Sequence, residues 1–241
     1  MEVSIASQHT IRRFIELGRG MKMVLSVSLL LLPWRLRRLA MIFLFGYRIH
    51  PSARIGLSVI CPDHLEMAER SRIGSCTMCK GLELLELGEH ASIGNLNWIT
   101  AFPADGKGYF SADSGRRPGL VVGDHAAITT RHYIDCTNAL HVGSFATVAG
   151  LHSQILTHSI DIYQNRQSSQ PITIGAYCFV GTGSIILGGS VLPDYSVLGA
   201  GSVLNKAFTE SHYLYAGIPA RPVKPLSKEA QYFQRATGHV Y

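Results

Sequence analysis

From Val142 onward the chain repeats itself. An aliphatic residue stands at Val142 and Val148, and then at every sixth position: Ile174, Val180, Ile186, Leu192, Leu198 and Leu204. The same beat occurs earlier at Ile55, Ile73, Leu87, Ile93 and Ile99, and at Val122, Ile128 and Ile134, with a change of phase before Val142. Glycine often follows the aliphatic residue, as at Gly56, Gly74, Gly94, Gly123, Gly143 and Gly175. The fifth position is small: Ala91, Ala126, Ala146, Cys178, and then Ser184, Ser190, Ser196 and Ser202. A period of six fits neither an amphipathic helix nor a plain alternating hairpin. It predicts a short strand and a turn, repeated, so that the chain coils into a prism with flat faces. The aliphatic residues point inward and stack on one another. The small residues fill corners, and glycine relieves the turns. The four regularly spaced serines are thus corner fillers chosen by volume, not nucleophiles.

These hexads resemble those of the hexapeptide-repeat acyltransferases, whose fold is an all-β solenoid, the left-handed parallel β-helix. The resemblance covers roughly residues 48–226 and is densest from Val142 onward. It implies three parts: an N-terminal helical segment over 1–47, the β-helix over 48–226, and a C-terminal tail with a short helix over 227–241. A coil has open ends, so the two terminal segments are expected to cap it.

Function in a solenoid gathers where the repeat is interrupted, because insertions become loops on the outside. Two stretches break it, Phe102 to Gly119 and Ser159 to Gln170. His158 stands at the edge of the second. An imidazole titrates near neutrality and suits the removal of a proton from an alcohol. The arrangement "VGSFATVAGLHSQILTHSIDI", followed by a loop ending in "PITIG", is similar to that of galactoside and maltose O-acetyltransferases. There the corresponding histidine is the general base. The resemblance therefore implies an acetyl-coenzyme A-dependent O-acetyltransferase with His158 as base. His152 is the competitor, at what reads as the fifth position of the hexad begun by Val148.

Carried over position by position, Thr182, Ala200, Asn205 and Lys206 match coenzyme-contacting positions. Arg221 and Lys224 in "GIPARPVK" offer cations for its phosphates. Asn205 departs from the usual threonine. The segment expected to hold the acceptor reads Arg131-His132 where the related enzymes carry asparagine, so the acceptor is left open. His132, Asp135, His152 and the loop from Asp105 to Arg117 are its candidates. The family also implies direct transfer without an acyl-enzyme or a metal, and a homotrimer with each site between two prisms.

The stretch Met23 to Gly46 is the most apolar in the chain, but Arg35, Arg37 and Arg38 divide it and Pro33 interrupts it. Each apolar run is shorter than the ~20 residues a spanning helix needs. Two readings stand: helices packed on the prism, or an interfacial anchor with "RLRR" against anionic headgroups. The net charge of +6 is concentrated near the N-terminus, with Arg12, Arg13, Arg19 and Lys22 against Glu2 and Glu16. These cations alternate with leucines, not with exposed aromatics, which speaks against nucleic acid. Five cysteines, an odd number with no leader before them, point to a reducing cytoplasmic setting, and the lone Cys76/Cys79 pair to core packing. An anchored enzyme of this kind fits the inner face of the cytoplasmic membrane and an envelope saccharide. Two alternatives share the fold: a zinc-dependent γ-type carbonic anhydrase drawing on His125, His132, His141, His152 and His158, and a non-catalytic scaffold.

Overall fold

A computed structural model describes residues 18–105, 109, 110, 113, 115–238 and 240. The early basic residues Arg12 and Arg13, with Glu2 and Glu16, lie outside the described residues.

The hexads form three parallel sheets that wrap one core. The first face is built from Arg48–Ile49, His64–Met67, Leu84–Leu87, Gly119–Val122, Ala139–Val142, Ile172–Ile174 and Val191–Leu192. The second begins at Arg54–Ile55 and runs through Val197–Leu198 to a terminal hairpin, Tyr213–Gly217 and Ala220–Pro225. The third runs from Val59–Cys61 to Val203–Leu204 and includes Tyr133–Asp135 and Gln154–Leu156. Successive strands of one face are one coil apart, which makes this the left-handed parallel β-helix that the hexads imply.

The change of phase has a structural cause. Ile73 pairs with Ile93, and Ile128 with Val148, so these coils are twenty residues long; Val180 pairs with Leu198, eighteen on. The two extra residues lengthen the first face, where the strands of these coils send two side chains inward, as with Leu85 and Leu87 or Leu140 and Val142. In these twenty-residue coils the face spacing stays at six while the coil grows by two.

Each corner carries its own ladder. Between the second and third faces stand Ser58, Thr77, Asn97, His132, Ser153, Ser184 and Ser202, all buried. Side chains here accept hydrogen bonds from the next coil's backbone: Ser58 Oγ from the Thr77 amide at 2.9 Å, Thr77 Oγ1 from Asn97 at 3.2 Å, and Asn97 Oδ1 from His132 at 2.9 Å. The regular serines are corner fillers as expected, and their hydroxyls also bond carbonyls, Ser184 to Gly181 at 2.8 Å and Ser190 to Leu204 at 3.0 Å. Between the first and second faces the rings of His90, His125, Phe145, Tyr177, Tyr195 and His212 stack 4.6–5.1 Å apart. All six have positive φ, a conformation such a corner demands of one residue per coil.

The N-terminal segment caps the coil, and the arginines do the capping. Helix α1 (Arg19–Ser28) continues through a 3₁₀ turn at Leu29–Leu31 into α2 (Trp34–Phe45). Carbonyls of each coil are bonded by amides of the coil before, as Ile73 O is by Gly56 N, so among the described residues the first coil's carbonyls have no strand partner. Arg37 donates to the carbonyls of Ile55 and Gly56, Arg38 to that of Ile49 at 3.0 Å, and Lys22 and the Tyr47 hydroxyl to that of Pro62. Arg37 is buried, and two of the three arginines of "RLRR" are spent on backbone, which leaves Arg35 exposed. Among the described residues the C-terminal segment does not cap the far end. Its helix α3 (Gln231–Gln234) lies along the aromatic ladder, with Phe233 edge-on to Tyr195 and His212 and the Arg235 guanidinium over Tyr177 and Tyr232.

Candidate active site

The corner between the third and first faces is where the chain leaves the coil twice, after Thr100 and after Leu156. His158 opens the second excursion, a hairpin of His158–Asp161 and Arg166–Ser169. Asp135 ends the strand one coil earlier, in register with Leu156. Its Oδ2 lies 2.8 Å from His158 Nδ1. The pair meets the distance of an ion pair but not the direction of a straight N–H···O bond, so it is a bent contact.

The carboxylate is held from several sides. Oδ1 accepts from the Thr137 hydroxyl at 2.6 Å, and Oδ2 from the Thr157 hydroxyl at 2.7 Å and the Thr157 and His158 amides at 3.0 and 3.1 Å. Burial by itself would raise the Asp135 pKa, but the contact with His158 and the bonds from Thr137 and Thr157 outweigh it and hold the group below its ordinary value. An ionised carboxylate against Nδ1 fixes the ring and leaves Nε2 for a ligand. The imidazole is 29% exposed, enough for a ligand to reach it.

The first excursion walls the site. Phe102 and Phe110 meet the imidazole edge-on, at 5.4 and 6.1 Å between centroids. Arg116, buried, donates to the carbonyls of Phe102, Pro103 and Thr137 and lies 4.4 Å over the Phe110 ring. Asp113 accepts from the Ser169 amide at 2.8 Å and hydroxyl at 2.6 Å, which ties this loop to the hairpin. Below, Gly188 passes so close that a Cβ there would lie 2.9 Å from the Thr157 carbonyl.

The predicted residues divide by edge. Asp135 is not placed as an acceptor contact; it is the partner of His158. His132 is not open to an acceptor: it is wholly buried as a corner rung, Nδ1 accepting from the Ser153 amide at 3.2 Å and Nε2 within 3.0 Å of Thr129 Oγ1. Burial first, and His152 second, push its pKa down to about 4. His152 does not hold the fifth position, because Val148 to Ile155 spans seven residues and Ser153 takes the corner. It is exposed, with φ of 62°. Asn205 and Lys206 follow the third-face strand two coils beyond His158, on the same edge. Thr182 and Ala200 lie on the edge between the second and third faces, where the Thr182 hydroxyl bonds the Leu151 carbonyl at 2.9 Å. Arg221 and Lys224, both exposed, belong to the terminal hairpin of the second face, across the prism from His158.

Phe102, Phe110, Arg116, Asp113 and the two threonines were not singled out by residue in the sequence. Their signal was the interruption itself. Among the described residues no three His, Cys, Asp or Glu side chains gather as a ligand set. His125 is stacked between His90 and Phe145, and His132 is enclosed, so the five histidines do not converge.

No family model and no curated protein matches the chain. Solved structures do, remotely. A hexapeptide-repeat-containing acetyltransferase of Vibrio cholerae is 17% identical, with a TM-score of 0.47 over 88% of this chain and 93% of that one. A hexapeptide transferase family protein of Anaplasma phagocytophilum is 20% identical, with a TM-score of 0.44 over 78% and 85%. A variant N-acyltransferase of Bacillus cereus, solved with dTDP-4-amino-4,6-dideoxyglucose and coenzyme A, is 14% identical, with a TM-score of 0.45 over 76% and 87%. The fold assignment here rests on the three-sheet coil itself.

Proposed function

We propose that this protein is an O-acyltransferase that moves an acetyl group from acetyl-coenzyme A to a hydroxyl of a saccharide or glycan precursor. The observation that carries the reading is the His158–Asp135 pair, accessible at the one edge where both excursions meet. Acetyl-coenzyme A, when bound, supplies an activated thioester. The chain's own residues do the rest. His158 takes the acceptor's proton at Nε2 and later gives it to the departing thiol. Asp135 orients the ring and offsets the charge it gains. Phe102 and Phe110 keep water from one side of the imidazole.

Asn205 and Lys206 fit a role in holding the donor, since two coils separate them from His158 by roughly 10 Å. Thr182, Ala200, Arg221 and Lys224 lie on other edges, and a homotrimer supplies the remedy: the edge of one prism would face a different edge of its neighbour. The setting suggested by the apolar N-terminal cap is the cytoplasmic face of a membrane, with an envelope saccharide as acceptor.

The test is thiol release from acetyl-coenzyme A, screened against nucleotide sugars and polysaccharide fragments, hydroxyl and amino sugars in separate arms. Release dependent on a hydroxyl acceptor is expected. Release with amino sugars alone would move the reading to N-acylation, and none with any acceptor would overturn it.

A further inference from the structure

The two capping helices carry apolar residues on both sides. Inward, Leu25, Leu29, Trp34, Met41 and Phe45 pack on the end of the core. Outward, Met21, Val24, Val27 and Leu31, then Leu36 and Leu39, are exposed at helical spacing on successive elements. Leu31, at the bend before Pro33, is 89% exposed. A helix apolar all round is ordinarily enclosed, and a contiguous exposed patch marks an interaction surface. Among the described residues no helix is long and apolar enough to cross a membrane, so a spanning role is not what this stripe serves.

Charge decides the occupant. Residues 17–62 contain seven basic residues and no acid; Asp63, Asp105 and Glu66 meet Arg19 and Arg48 from outside this stretch, which leaves an excess of positive charge on the cap. Arg37 Nη2 and Arg38 Nε are bonded to carbonyls, which does not cancel the charge of either guanidinium. Arg35 is exposed within the stripe. The cap is therefore an apolar ridge in a positive field. A second copy pairing on this face through a two-fold axis would set Arg35 against Arg35's own neighbourhood, cation facing cation. An anionic lipid surface answers both features, apolar side chains entering the acyl boundary and headgroups meeting the field.

We infer that the outward stripe of α1 and α2, led by Leu31 and Leu36, docks the protein on anionic bilayers without crossing them. Apolar insertion carries most of the binding, and the cations act through their field more than through direct headgroup contacts. This deepens the membrane setting of the proposed function but stands on the cap alone.

The experiment is co-sedimentation of the full chain with vesicles of phosphatidylcholine and phosphatidylglycerol in equal parts, against phosphatidylcholine alone. Wild type should sediment with the mixed vesicles, and Leu31→Ser and Leu36→Ser should each weaken partition about tenfold. Thermal melting should not change, because these side chains touch solvent. His158→Ala should bind vesicles as wild type does, so failure of the catalytic reading leaves this result standing. The inference is overturned if wild type ignores the mixed vesicles, if the serine variants bind undiminished, or if those variants instead disperse an oligomer that wild type forms in the absence of lipid.

Discussion

His132 and His158 sit at neighbouring corners of the same solenoid, and both follow short third- or second-face strands. At the corner between the second and third faces the coil is unbroken. His132 is packed with no exposure, each ring nitrogen meets a near neighbour, and burial drives its pKa down to about 4. At the corner between the third and first faces the coil is broken twice. There His158 keeps a face open and has an ionised carboxylate at 2.8 Å. One residue type serves as a neutral strut in one place and as a candidate base in the other. What differs is whether inserted chain holds the side chain outside the stack, and whether a carboxylate waits beside it.

That contrast can be broken by exchange of chemistry at each corner. The largest effect is expected from His158→Ala: thiol release should fall about a thousandfold, the contribution of a positioned base, while melting temperature stays near wild type. An unchanged rate would remove His158 from the chemistry.

Next comes the dependence of stability on pH set by His132. Its folded pKa near 4 lies below the ordinary 6.5, so the unfolded chain binds a proton that the folded chain does not. Stability from this group is complete above pH 6.5 and is lost as pH falls toward 4. The loss amounts to about 3 kcal/mol over that window. Asn97 occupies the same rung one coil earlier, so His132→Asn should fold and should flatten this slope in denaturant titrations across the window. A slope that persists in His132→Asn would place its origin elsewhere.

The smallest of the three is Asp135→Asn. Loss of the orienting charge should lower kcat about a hundredfold with little change in KM, and Asp135→Glu should restore part of it. A rise in KM with kcat intact would instead return Asp135 to the acceptor side of the site.

Much of this is legible in the amino-acid sequence. The six-residue beat named the inward aliphatics and the small corners, since volume alone decides what fits at a corner of a stacked coil. It could not reveal coils of twenty residues in place of eighteen, because adding two residues to the first face looks, in one dimension, like a slipped phase. Nor could it separate His152 from Ser153, where one extra residue moves the corner along by one. The aromatic ladder was readable only coil by coil, at the fourth hexad position, and it escaped a reading made hexad by hexad.

The sequence by itself determined the solenoid, its inward residues and the two places where it opens, because those depend on periodicity and side-chain size within short stretches. Tertiary structure decided which distant groups meet. Asp135 stands twenty-three residues before His158 and acts on it only because one coil brings the third face back on itself. Arg37 reads as a surface cation until the first coil's open carbonyls require a donor. Pairings of this kind are fixed by register between coils, and register belongs to the folded chain.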